Sequence, residues 1–108
     1  MSALPAPKAP PIVGRPVLLE YAAIEFLHEV TRQKPWRRAR YEALLMALDE
    51  FLGAPAPLAA YTSRAARAWQ RQLPPPAQED AAELLSDFET YLSDWGWLES
   101  ARSSAVWP

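Results

Sequence analysis

The sequence predicts an all-α fold, a small bundle of four to five helices. Apolar residues recur at helical spacing in four segments, and nowhere do they alternate over a run that suits a strand. The connections between those segments are short and marked by proline or glycine. Half of the 108 residues are apolar and five are tryptophan, enough for one packed core without staples, and the length suits one domain rather than two.

Residues 1–16 are rich in Ala and Pro, and Pro5, Pro7, Pro10 and Pro11 interrupt any apolar run that could serve as a signal-peptide core. They read as a flexible arm, followed by a single helical domain over 17–99 and an extended tail over 100–108. A first helix is expected over about 17–30, with Leu19, Ala23, Phe26, Leu27 and Val30 in one stripe that Val17, Tyr21 and Ile24 widen. The second runs over about 35–52: Pro35 suits a first-turn position, Tyr41, Leu44, Leu45, Leu48, Phe51 and Leu52 recur at helical spacing, and Gly53 stops it. Thr62 is the expected N-cap of a third helix over 63–72. There Ala65, Ala66, Trp69 and Leu73 share an arc of about 100°, and Arg64, Arg67 and Arg71 share about 60° on the opposite side. Pro74, Pro75 and Pro76 make a stiff connection to a fourth helix over about 77–95, with Glu79 and Asp80 set against its N-terminal dipole. Its core stripe is Ala81, Leu84, Leu85, Phe88, Tyr91, Leu92 and Trp95; Gly96 ends it, and Trp97 and Leu98 are placed to fold back on the last turn.

The net charge of −2 conceals a separation along the chain. Between Arg32 and Arg71 eight basic residues face three acids, Glu42, Asp49 and Glu50. Between Gln72 and Glu99 there are seven acids and no base. The first half suits an anion and the second repels one. With no cysteine, disulfides, thiolate zinc sites and Cys nucleophiles are excluded together. No apolar stretch reaches the roughly 18 to 20 residues that cross a bilayer, so a cytoplasmic protein without a membrane partner is expected.

The Arg64, Arg67 and Arg71 ridge is the leading candidate site, since three permanently charged forks on one helical face can each reach a phosphate oxygen or a guanine edge. Lys34, Arg37, Arg38 and Arg40 form a second, denser group. Cations at a helix N-terminus oppose the macrodipole by about 0.3 to 1 kcal/mol each, although Arg38 can pair with Glu42 one turn on. Trp36 beside them is expected to serve as a core or staple residue. Asp80, Glu83 and Asp87 line one side of the last helix and read as a hydrated acidic face; no His or backbone-rich loop completes a metal site. His28, the only histidine, has no partner for acid–base work, no serine sits in a nucleophile elbow, and three glycines build no phosphate cradle. The expectation is a protein without catalytic activity, cofactor, metal or small-molecule substrate.

From Trp36 onward the order of features resembles the N-terminal core-binding domain of tyrosine recombinases and phage integrases, a SAM-like helical module. The stripe Tyr41, Leu44 and Phe51, then Leu58, Tyr61-Thr62 and Trp69, carries the first part of the likeness. Leu85, Phe88 and Tyr91-Leu92, followed by Gly96-Trp97-Leu98-Glu99, carries the second, so that about two-thirds of the chain is covered. The resemblance implies a SAM-like fold, duplex DNA as partner and a role in DNA recombination or integration, with the third helix against DNA. It does not imply strand exchange, because the arginine cluster and tyrosine nucleophile of the family's catalytic domain have no counterpart here. The chain departs from the pattern in the acidic start of its last helix and in Ser100-Ala101 where Asn-Pro is usual.

The resulting expectation is a stand-alone, non-catalytic DNA-binding domain, contacting duplex DNA through Arg64, Arg67 and Arg71, with Arg37, Arg38 and Arg40 as a second line. Neutralising about four to six phosphates gives a slope of log affinity against log salt of roughly −4 to −5. The rival is a helical protein-interaction module in which the acidic last helix, or the aromatic tail around Trp95, Trp97 and Trp107, docks on a recombinase or another basic protein.

Overall fold

The computed structural model describes residues 17–97; the expected arm over 1–16, the tail over 100–108, Leu98 and Trp107 lie outside the described residues. Four helices follow one another, α1 Leu19–Gln33, α2 Arg38–Leu52, α3 Ser63–Arg71 and α4 Pro75–Asp94, with 3-10 turns at Pro35–Arg37 and Leu58–Ala60. The all-α class is as expected. Among the described residues the only β-type pairing is one isolated bridge between Leu18 and Pro57, flanked by Leu19 N–H to Ala56 O at 2.9 Å and Leu58 N–H to Val17 O at 2.6 Å. It ties the entry to α1 onto the α2–α3 connection, which keeps residues 17 and 18 extended and delays the helix to Leu19.

The boundaries follow backbone chemistry. α1 runs three residues beyond the expected Val30 and stops where Lys34, the residue before Pro35, is pushed out of the helical region to φ −140°, ψ 69°. Pro35 opens a 3-10 turn rather than the α-helix itself, so the expected second helix is split at Arg37. Gly53 closes α2 at φ 99°, in the left-handed region where a Cβ is disfavoured. The Thr62 hydroxyl accepts the Ala65 N–H at 3.0 Å and caps α3 as expected. α4 starts at Pro75, two residues early, because the first turn needs no N–H and tolerates Pro75 and Pro76. Glu79 and Asp80 consequently lie beyond its first turn, and the dipole role expected of them does not hold.

α1 packs on α2 and α4, α2 also meets α3 and α4, and α3 lies against α4. An aromatic hub joins them. Phe26 of α1 stacks on Tyr41 of α2 at 5.9 Å and meets Phe88 and Tyr91 of α4 at 5.1 and 5.5 Å, while Tyr61, just before α3, meets the edge of Phe88 at 5.6 Å. Leu19, Leu48, Leu58, Leu84, Leu85 and Leu92 fill the space around it and are all but inaccessible. Such offset and edge-to-face pairs add about 0.5 to 1.5 kcal/mol each beyond their burial.

Five apolar residues depart from expectation, among them Phe51, expected in the α2 stripe yet 39% exposed near the end of that helix. Tyr21 and Ile24, expected to widen the α1 stripe, are 41% and 50% exposed because they lie on the side of α1 away from Leu19, Phe26 and Val30. Trp36, expected in the core, is 69% exposed: its neighbour Arg37 turns toward α4, and the 3-10 turn sends the indole into solvent. Trp95, expected to extend the α4 stripe, is 53% exposed because the helix ends at Asp94. Trp97, folding back as expected, takes the buried place at 2% exposure.

Candidate nucleic-acid interface

α3 is oriented by its apolar side. Ala66 and Trp69 are buried against the rest of the bundle, which turns Arg64, Arg67 and Arg71 to the opposite, exposed side. The α3–α4 turn carries two side-chain hydrogen bonds, Gln70 Nε2 donating to Gln78 O at 3.1 Å and Gln78 Nε2 donating to Leu73 O at 2.8 Å. Arg64 and Arg71 form no ion pair among the described residues. Arg67 faces the Glu89 carboxylate at 3.9 Å with 48% of its side chain exposed. That carboxylate oxygen also accepts the Tyr61 hydroxyl at 2.6 Å and the Ser63 hydroxyl at 3.4 Å.

The second arginine group has a different surrounding. Arg37 reaches across to α4, with Glu83 at 2.8 Å and Asp87 at 3.1 Å, and only 19% of its side chain is exposed. The Tyr41 hydroxyl donates to the same Asp87 oxygen at 2.7 Å, and Arg37 lies 3.4 Å from that hydroxyl. Arg40 pairs with Asp80 at 2.9 Å. Arg38 lies 4.0 Å from Glu42, the expected one-turn neighbour, and 3.4 Å from the Thr31 hydroxyl. Of the six cations assigned to DNA, Arg64, Arg67 and Arg71 therefore share one face, whereas Arg37 and Arg40 are held by α4.

The helical repeat explains this division. Asp80, Glu83 and Asp87 fall within an arc of about 60° on the α2 side of α4, and Glu89 lies roughly 180° round from Asp80, on the α3 side. The expected hydrated acidic face is instead a row of intramolecular partners. The acid-only helix and the arginine-rich helices complement each other inside one molecule.

Burial, together with the Asp87 and Glu89 carboxylates they donate to, raises Tyr41 and Tyr61 respectively well above the usual tyrosine value. Partial burial works against the Arg37 charge, but Tyr41, Glu83 and Asp87 outweigh it and raise its pKa. His28 is exposed on α1, and among the described residues no three His, Cys, Asp or Glu side chains are grouped to hold a metal. No described helix is long and apolar enough to cross a membrane. The α2–α4 pairing left one trace in the sequence: Arg37 and Arg40 at i, i+3 match Asp80, Glu83 and Asp87 at i, i+3, i+7, two stripes of opposite sign.

No family model, no curated protein and no solved structure matches the chain significantly.

Proposed function

We propose that this chain is a non-catalytic, cytoplasmic DNA-binding domain of the core-binding type, which lays α3 on duplex DNA. The observation that carries the reading is the pair Arg64 and Arg71, exposed on the side of α3 opposite Ala66 and Trp69 and without an acidic partner among the described residues. Seven residues separate them, about 10.5 Å along the helix axis, close to the roughly 12 Å width of the major groove. A helix crossing the groove would set one guanidinium on each wall. Arg67 between them is a third contact when it leaves Glu89. Arg37 and Arg40, engaged with α4, contribute little, and Arg38 stands on α2 rather than on the α3 face, so α3 neutralises two to three phosphates rather than four to six. The slope of log affinity against log salt is then about −1.8 to −2.7.

The succession of Tyr41, Phe51, Leu58, a capped Thr62 and the Phe88, Tyr91, Leu92 stripe supports the resemblance to the recombinase module, and with it a role in DNA recombination or integration. The rival reading, a partner docked on the acidic helix or the aromatic tail, has less support. Asp80, Glu83, Asp87 and Glu89 already have partners within the chain, and of the aromatic tail Trp97 is buried while Trp95 is exposed.

Fluorescence anisotropy of labelled duplex DNA at several salt concentrations tests the proposal, with Arg64→Ala/Arg67→Ala/Arg71→Ala as comparison. Salt-sensitive binding that the triple variant loses is the expected outcome. Absence of binding at 50 mM salt, or equal binding by the triple variant, overturns it.

A further inference from the structure

Arg67 occupies the centre of the ridge, yet among the described residues it is the only one of the three guanidiniums with a carboxylate beside it. Glu89 is not a chance surface acid. The Tyr61 hydroxyl, on a side chain only 4% exposed, donates to its Oε2 at 2.6 Å, and the Ser63 hydroxyl lies 3.4 Å from the same oxygen. Two side chains, Tyr61 just ahead of α3 and Ser63 at its start, thus hold the carboxylate in place, and its own side chain is only 26% exposed. An anion fixed in that position competes with phosphate for Arg67 and repels any phosphate brought up to it.

We propose that Glu89 is a specificity-determining residue of the ridge, an internal competitor that limits it to two phosphates, those met by Arg64 and Arg71. This rests on the DNA reading above and refines it. A backbone that offers phosphate only at the centre of the ridge meets a paired arginine and a fixed negative charge. A backbone that spans Arg64 to Arg71 meets two unpaired cations. The ridge consequently discriminates by phosphate spacing rather than by phosphate as such, and its non-specific binding is held down.

The test uses the full chain and labelled duplex DNA between 50 and 200 mM salt. Glu89→Gln keeps a carbonyl oxygen to accept the Tyr61 hydroxyl while removing the charge, and thermal melting checks that the fold persists. The native slope is expected near −1.8 and the Glu89→Gln slope near −2.7, one further phosphate. Because a fourfold rise in salt costs each phosphate contact about 3.5-fold in affinity, the advantage of Glu89→Gln over native falls by about that factor across the range. Arg67→Ala alone leaves the native slope unchanged, and Arg67→Ala added to Glu89→Gln restores it. Glu79→Gln, the same charge change at an exposed α4 acid with no ion pair among the described residues, does not steepen it.

An unchanged slope in Glu89→Gln overturns the proposal, as does a steepening that survives Arg67→Ala or is matched by Glu79→Gln. Either result leaves the DNA reading standing if the native chain binds and the triple arginine variant does not. If no protein binds at 50 mM salt, both readings fall. Arg67→Ala lies on an exposed face of a capped helix, so its slope is measurable even if Glu89→Gln folds poorly, and a slope flatter than native by about 0.9 refutes the competitor role by itself.

Discussion

Alkaline pH should destabilise this protein through two tyrosines. Tyr41 and Tyr61 are 0% and 4% exposed, and each donates its hydroxyl to a carboxylate, Asp87 at 2.7 Å and Glu89 at 2.6 Å. Burial first, and then the carboxylate, raise both far above the value of about 10 that holds in the unfolded chain. The unfolded state therefore loses protons that the folded state keeps. Stability is complete below pH 10 and declines as pH rises from there toward the raised folded values. Each tyrosine costs about 1.36 kcal/mol per pH unit once pH exceeds 10, so relative to pH 8 the loss at pH 11 is about 1.4 kcal/mol from each and about 2.8 from both. Tyr91, raised chiefly by burial, acts in the same direction. Urea unfolding from pH 8 to 11, followed by far-UV circular dichroism, measures this, with absorbance at 295 nm reporting phenolate. Tyr41→Phe and Tyr61→Phe should each remove about 1.4 kcal/mol of the loss at pH 11. An equal decline in native and Tyr41→Phe/Tyr61→Phe refutes the reasoning, as would phenolate appearing at Tyr41 near pH 10 with the fold intact.

Phe88→Ala empties the centre of the aromatic hub, where the ring is 0% exposed and touches Phe26 and Tyr61, and should cost about 3 to 5 kcal/mol in urea unfolding; a loss under 1 kcal/mol would deny the hub its role. Thr62→Ala removes the acceptor for the Ala65 N–H and should cost about 1 kcal/mol, whereas Thr62→Ser should stay within a few tenths, a difference that paired urea titrations resolve.

What could be read ahead of the structure is what neighbouring residues decide among themselves. Thr62 caps α3 because its own side chain reaches the N–H three residues on, and Gly53 ends α2 because it alone tolerates the left-handed turn there. The two faces of α3 separated cleanly because Arg64, Arg67 and Arg71 alternate with Ala66 and Trp69 at helical spacing. Apolar character alone misplaced Tyr21, Ile24, Trp36, Phe51 and Trp95, since it does not say which side a neighbouring helix will cover. The second arginine line illustrates the same limit for charge. Arg37 and Asp87 are fifty residues apart in sequence, so counting charge along the chain separated partners that the fold brings within 3.1 Å.

Those pairings matter less for how firmly α4 is held than for where. Partly exposed ion pairs contribute only about 0 to 1 kcal/mol each, so the buried face of Leu84, Leu85, Phe88 and Leu92 supplies most of the holding. A slip of one turn, about 5.4 Å, would carry Asp80 away from Arg40, Glu83 and Asp87 away from Arg37, and Glu89 away from Tyr61 at the same moment. Carboxylates on both flanks act as the teeth of a key in a two-sided lock: they admit one depth and one rotation of α4. The acidic helix thus encodes its own address.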